Sequence, residues 1–212
     1  MRSRRSARVT FAETSCKRQT GAERAYALAV AEVVVFHHTL GLTGPVRHFA
    51  GELGAAGHTV HTPDLYDGRT FETYEGGTAH SETLGGPIAA VERARAEVES
   101  LPSDLFYVGL SSGVLAAQSL AQTRPGASGA VLCYSAVALG QWGDNWPATW
   151  PDSVRLQLHI LEADEDYEIA QGLATTVPGA ELFVYPGTEH LFAEHDEQAA
   201  GLLRERVLEF LG

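Results

Sequence analysis

The chain has 212 residues, of which 44% are hydrophobic and 20% are charged. This length and composition suit one globular domain and exclude a fibrous or largely disordered chain. The formal net charge of −12 disfavours nucleic acids and anionic membranes as partners, because their binding depends on Lys and Arg side chains that neutralise phosphates. We therefore expect a small-molecule partner, with no nucleic acid and no membrane, and a monomer or homodimer.

The first thirty residues differ in character from the rest of the chain. Residues 1–24 are basic and polar, and the apolar run that follows them continues into a predicted core strand, so no apolar segment lies close enough to the basic start for a secretory signal. We predict that residues 1–30 are an extension, disordered or outside the fold, and that one domain occupies residues 31–212. Cys16 and Cys133 lie far apart in the sequence, which gives no support to a disulfide, so we expect a reducing, cytoplasmic location.

Short apolar runs alternate with helical patterns after residue 31. The runs typical of buried parallel strands are residues 33–37, 58–64, 104–109, 129–136, 155–163 and 181–187. Patterns with one apolar helical face cover residues 44–57, 84–101, 112–126 and 196–212. Strands separated by helices in this order predict an α/β fold, with a mostly parallel, doubly wound sheet flanked by helices.

The sequence GLSSG at residues 109–113 matches the pattern G-x-S-x-G between a predicted strand and a predicted helix. At such a turn the flanking residues must be nearly free of side chains, and the central serine is lifted clear of the sheet. The next backbone N–H then points into an oxyanion site at the start of the helix. The spacing selects Ser111 as the nucleophile and gives Ser112 a backbone role. The alternative is a glycine-rich turn whose serine only caps the helix.

A serine nucleophile needs a histidine base and a carboxylate that orients this histidine. Candidates for both follow Ser111 at the ends of later strands. We prefer Asp164 as the acid because it is the first aspartate after an apolar strand, whereas Asp166 is predicted to begin the next helix; Asp166 remains the alternative. His190, beyond the last strand, is the predicted base, and His195 is a weaker candidate.

These motifs and their order resemble the dienelactone hydrolase family of α/β-hydrolases. The resemblance rests on HHTLGLT, PDLYDGRTF, GLSSG, LAQTRPGASGAVL and YPGTEHLF, which occur in the expected order between residues 37 and 192. It implies an α/β-hydrolase-type domain with nucleophile, acid and base at Ser111, Asp164 and His190. It also implies hydrolysis of a small carboxylic ester or lactone without a metal or organic cofactor.

Two positions depart from the family pattern. The best-known members carry Cys where this chain has Ser111, so the resemblance implies a serine-hydrolase variant. They also carry a glutamate beside the nucleophile, at the position of His38, and this change argues against dienelactone itself as the substrate. Carried over by position, His38 and Arg69 would bind substrate, with Arg69 contacting an anionic group, and the N–H of Thr39 would be the second oxyanion donor.

Several alternatives stay open from the sequence. A general carboxylesterase or thioesterase would carry the same motifs, and so would a non-catalytic ligand-binding protein that keeps the hydrolase fold. Adjacent residues on a strand point to opposite faces, so His37 and His38 are not expected to bind a metal together. The tryptophans at 142, 146 and 150 could line an apolar pocket or pack beneath a loop.

Overall fold

Seven parallel strands form the central sheet of the computed structural model, which describes residues 8–11 and 30–212. The strands are β1 (Arg8–Phe11), β2 (Glu32–Phe36), β3 (Thr59–His61), β4 (Leu105–Leu110), β5 (Gly129–Cys133), β6 (Arg155–Leu161) and β7 (Glu181–Tyr185). Their order across the sheet is β1-β7-β6-β5-β4-β2-β3. Strand β4, which leads into the serine turn, therefore lies inside the sheet, and all its residues are buried.

Helices cover both faces of this sheet, so the predicted α/β-hydrolase-type fold is confirmed. They are α1 (Gly44–Ala55), α2 (Tyr74–Thr83), α3 (Gly86–Glu97), α4 (Val114–Thr123), α5 (Tyr167–Thr176), α6 (Phe192–His195) and α7 (Glu197–Leu211). One buried apolar cluster packs α3, α4 and α5 against the sheet, and a second packs α1 and α7 against its other face. Among the described helices, none combines the length and apolarity that crossing a membrane requires.

The strands and helices that the sequence predicts all form, and their bounds differ by a few residues at each end. Helix α2 is not predicted, because its sequence YEGGTAHSET has no apolar stripe. Two interactions stabilise it. The hydroxyl of Thr73 caps the helix by accepting the N–H of Gly76 at 3.2 Å. Gly77 packs so closely on the carbonyl of Thr39 that no side chain would fit between them.

Strand β1 lies within the predicted N-terminal extension. It pairs in parallel with β7, from Arg8 opposite Glu181 to Phe11 opposite Val184, and forms one edge of the sheet. The rest of the extension, apart from Val30, lies outside the described residues. The domain boundary at residue 31 therefore stays a prediction.

The three tryptophans, Trp142, Trp146 and Trp150, belong to the loop between β5 and β6. Trp146 is buried in the core cluster of α3, α4 and α5, and Trp142 meets its ring edge-on with centroids 5.1 Å apart. The Trp150 indole N–H donates to the carbonyl of Val154 at 2.7 Å. None of the three lines the cavities next to the serine turn. The packing interpretation therefore fits Trp146 and Trp150, whereas Trp142 is 42% exposed.

A buried histidine, His159 on β6, joins β6 to β7. Its Nε2–H donates to Gln157 Oε1 at 2.9 Å, and its Nδ1 accepts the Tyr185 hydroxyl at 2.8 Å. Both bonds are made by the neutral ring. Burial, with a smaller contribution from the charge of Arg206, lowers the pKa of His159 from 6.5 to about 3.

This pKa shift predicts a loss of stability in acid. Below about pH 6.5 the unfolded chain binds a proton at His159 that the folded chain does not, so the free energy of unfolding should fall with pH toward 3. The free energy of unfolding should fall less between pH 7 and pH 4.5 in His159→Gln than in the original chain, by about 2–3 kcal/mol, because glutamine has a donor and an acceptor but no group that titrates in this range. Urea denaturation at the two pH values measures this.

The exposed His48 provides the matched control. His48→Gln should leave the pH dependence of the unfolding free energy as it is in the original chain. An equal pH dependence in His159→Gln and the original chain would show that His159 is not the group responsible.

Candidate active site

Ser111 occupies a sharp turn between β4 and α4. Its φ is 51°, in the left-handed region that a non-glycine residue rarely adopts. A Cβ at Gly109 would lie 2.6 Å from Cα of Val114, and a Cβ at Gly113 would collide with the carbonyl of Phe36. Both flanking positions therefore require glycine, as the G-x-S-x-G pattern predicts.

The predicted nucleophile, base and acid lie in one hydrogen-bonded series. Ser111 Oγ is 2.8 Å from His190 Nε2, and His190 Nδ1 is 2.8 Å from Asp164 Oδ2. The carboxylate can only accept, so Nδ1 carries the hydrogen, and Nε2 of the neutral ring accepts the serine hydroxyl. The Asp164 side chain is 5% exposed and that of His190 35%. The predicted acid is therefore enclosed by protein, while the predicted base is partly exposed to solvent.

The turn after β6 fixes the orientation of the Asp164 carboxylate. Its Oδ1 accepts the backbone N–H of Asp166 at 3.0 Å, which leaves Oδ2 for His190. The alternative acid, Asp166, instead accepts the hydroxyl of Ser135 at 2.6 Å. The geometry thus brings Asp164, and not Asp166, to His190. The weaker base candidate, His195, is the exposed last residue of α6.

Thr39 and Ser112, the predicted oxyanion donors, lie together at the serine turn. Both line a cavity of about 140 Å³ between the turn and helices α2 and α3. A second, more open cavity of about 420 Å³ contains Ser111, Asp164 and His190. The predicted donors and the hydrogen-bonded series thus adjoin each other at the carboxyl end of the sheet, where open α/β sheets bind ligands.

The sequence profile of the Dienelactone hydrolase family matches residues 22–212. This range contains the serine turn and the complete Ser111–His190–Asp164 series. The chain belongs to this family. It is accordingly a carboxylic ester hydrolase, as the motifs predict.

Solved structures similar to the chain share its fold. One is a dienelactone hydrolase-like promiscuous phosphotriesterase from metagenomic libraries, with TM-score 0.64, 14% identity, and 89% of this chain and 88% of the other covered. A dienelactone hydrolase from Anabaena variabilis gives TM-score 0.53, 20% identity and 85% coverage of both chains. A cold-adapted esterase from an Arctic intertidal metagenomic library gives TM-score 0.54, 19% identity, and coverage of 86% and 85%. No functionally curated protein matches the chain.

The side chain of His38, which the sequence analysis aligns with the family's glutamate, is fully buried. Its Nδ1 accepts the N–H of Leu40 at 3.2 Å, so Nε2 of the neutral ring carries the hydrogen and donates to Glu194 Oε1 at 2.9 Å. Both nitrogens are used within the protein. The predicted substrate contact is therefore corrected: His38 faces the interior and connects the Thr39 loop to α6.

His37 fixes the same loop from the other direction. Its Nδ1–H donates to the carbonyl of His38 at 2.8 Å, and its Nε2 accepts the N–H of Leu65 at 3.1 Å. Burial lowers the pKa of His37 below its usual value, which favours this neutral form. In the part of the chain that the structure describes, no group of three His, Cys, Asp or Glu side chains is placed to hold a metal ion.

Arg69, the second predicted substrate contact, is exposed. The turn before it is shaped by Asp64, whose carboxylate accepts the N–H groups of Tyr66 and Gly68 at 3.0 and 2.9 Å. Arg69 lines neither cavity at the serine turn. The structure therefore does not bring Arg69 to the other predicted site residues.

Two tyrosines that the sequence analysis does not identify flank the His190 ring. Tyr74 from α2 and Tyr134 after β5 have ring centroids 6.1 and 6.3 Å from it. Tyr134 has φ 71°, which is strained for a bulky residue, and burial raises its pKa well above the usual value. The sequence signal that could have identified Tyr134 is its position at the end of a strand. Tyr74 lies on α2, which the sequence pattern does not predict.

The bond between His38 and Glu194 predicts an effect on turnover. Without the Glu194 carboxylate the Thr39 loop loses its connection to α6, and a small displacement of a reacting group can lower kcat by about ten- to a hundredfold. We expect this loss in Glu194→Ala, with a much smaller change in KM, measured on p-nitrophenyl acetate. Glu194→Gln keeps an oxygen that accepts from His38 and should retain most of the activity.

Glu197→Ala is the control for this prediction, because Glu197 is an exposed glutamate at the start of α7. It should leave kcat unchanged. The positioning role is contradicted if Glu194→Ala keeps the original kcat, or if Gln at this position is as damaging as Ala.

Proposed function

We propose that the chain is a serine hydrolase that cleaves a small carboxylic ester or lactone through an acyl-enzyme on Ser111. The observation that carries the proposal is the unbroken series from Ser111 to His190 to Asp164, with both hydrogen bonds 2.8 Å long. A serine hydroxyl is a weak nucleophile at neutral pH unless a base takes its proton. This arrangement supplies a base and a carboxylate that orients it.

The first half of the reaction forms the acyl-enzyme. Ser111 Oγ attacks the ester carbonyl carbon while its proton moves to His190 Nε2. The carbonyl oxygen becomes an oxyanion that the N–H groups of Ser112 and Thr39 stabilise. When the intermediate collapses, the bond between the carbonyl carbon and the leaving oxygen breaks, and His190 Nε2 gives its proton to that oxygen.

The second half releases the acid. Water gives a proton to His190 Nε2 and attacks the acyl carbon, and the bond to Ser111 Oγ breaks as this oxygen regains a proton. Asp164 stays ionised and stabilises the imidazolium form of His190 in both halves. With a lactone the leaving oxygen stays attached to the acyl group, so the product is a hydroxy acid. Each of these steps uses groups of this chain and water.

A fluorophosphonate probe tests the nucleophile. The probe should form a covalent adduct on Ser111, and Ser111→Ala should lose both the adduct and the hydrolysis of p-nitrophenyl acetate. Ser112→Ala should still be labelled, because only its backbone N–H takes part. Intact mass and peptide mapping identify the labelled residue. A folded sample that binds esters without any Ser111-dependent adduct or turnover would favour a non-catalytic binding protein.

The orienting acid can be tested by a pair of isosteric substitutions. Asp164→Asn should lower kcat by about 10³–10⁴-fold, because an amide can donate to His190 and favour the wrong tautomer. Asp166→Asn should have a far smaller effect, since its carboxylate contacts Ser135 and not the base. A larger loss in Asp166→Asn than in Asp164→Asn would reverse the assignment.

A further inference from the structure

Two cavities adjoin the Ser111–Ser112 turn, and they differ in size and in the groups they contain. The first, of about 420 Å³, is lined by Ser111, His190 and Tyr74. The second, of about 140 Å³, is lined by Ser112 and Thr39. Consecutive residues of the serine turn thus belong to different cavities. His190, the proposed base, lines only the first cavity.

Helix α2 covers both cavities with one face. Tyr74 lines the first cavity, and Thr78, Ser81 and Glu82 line the second. Positions four, seven and eight residues apart lie on the same side of a helix. The close contact between Gly77 and the Thr39 carbonyl fixes this face over the turn. The two cavities therefore lie next to each other between α2 and the serine turn, and we refer to them as the two ends of the α2 cleft.

We propose that the acyl group of the substrate lies at the Ser112 end of this cleft and the leaving group at the His190 end. This assignment rests on the proposed function. In the tetrahedral intermediate the leaving oxygen must reach His190 Nε2 to receive its proton, and the hydrolytic water must later reach the same atom. The leaving group therefore occupies the cavity that contains His190. Of the two other substituents, the oxyanion meets the N–H groups of Ser112 and Thr39, and the acyl chain extends past them into the cavity that these two residues line.

The Ser112 end selects a short, uncharged acyl group. Its volume of about 140 Å³ is much smaller than the 420 Å³ of the His190 end. Its wall includes the apolar side chains of Leu65, Ala90 and Leu115, and Glu82 contributes a carboxylate. This carboxylate disfavours an anionic acyl group. We therefore expect short acyl groups, such as butanoyl, to be preferred over octanoyl.

Ala90→Leu tests the assignment, because its larger side chain occupies part of the Ser112 end. We would measure kcat/KM for p-nitrophenyl acetate, butyrate, hexanoate and octanoate, and then for a series of acetate esters with alcohols of increasing size. The variant should lower the ratio of butyrate to acetate turnover at least tenfold, while the dependence on the alcohol stays as in the original chain. Leu115→Ala, which enlarges the same end, should shift the preference toward hexanoate.

Ala200→Leu is the matched control. Ala200 lies on α7 and lines a different cavity of about 380 Å³ beside α1, so its substitution should leave both substrate series unchanged. If Ala90→Leu alters the alcohol series instead, the orientation is reversed. If Ala200→Leu alone shifts the acyl preference, the acyl group lies elsewhere. If no ester is hydrolysed in a Ser111-dependent way, both the proposed function and this assignment fail. If Ser111-dependent hydrolysis occurs but neither Ala90→Leu nor Leu115→Ala changes the acyl preference, only the assignment fails.

Discussion

The contact between Gly113 and the carbonyl of Phe36 is the constraint on which the site depends. It brings the start of α4 against the end of β2, the strand that pairs with β4 in the sheet. Because no side chain intervenes, the serine turn and the loop after β2 meet through their backbones. Ser112 and Thr39 can then line one cavity, and Ser111 is lifted toward His190. A Cβ at position 113 would separate these parts.

The loop after β2 needs support, because it has no regular structure of its own. His37 and His38 supply it as neutral rings, each with one nitrogen donating and the other accepting. Gly77 of α2 closes over the same loop at Thr39. The loop after β3, helix α2 and helix α6 thus each contact this short backbone segment. This support agrees with a role in which the direction of the segment's backbone N–H groups matters more than its side chains.

The sequence predicts the residues whose positions depend on local features. The G-x-S-x-G pattern marks Ser111, and the ends of apolar runs mark Asp164 and His190, because parallel strands bring their carboxyl ends to one edge of the sheet. Contacts between distant segments leave no such pattern. Glu194 meets His38 across 156 positions of sequence, and α2 is held by a cap and one close glycine contact without an apolar stripe.

The proposed serine mechanism gives a physical reason for a histidine, and not a carboxylate, at position 38. A carboxylate in direct contact with a serine would compete with His190 for the hydroxyl proton, and only transfer to His190 leads to an attack oriented by Asp164. In this chain the neutral His38 ring donates to the Glu194 carboxylate of α6 at 2.9 Å, and this hydrogen bond connects the loop to the helix. The side chain in contact with Ser111 Oγ is His190. A histidine at position 38 therefore fits the proposed serine mechanism, because it places no carboxylate at that position.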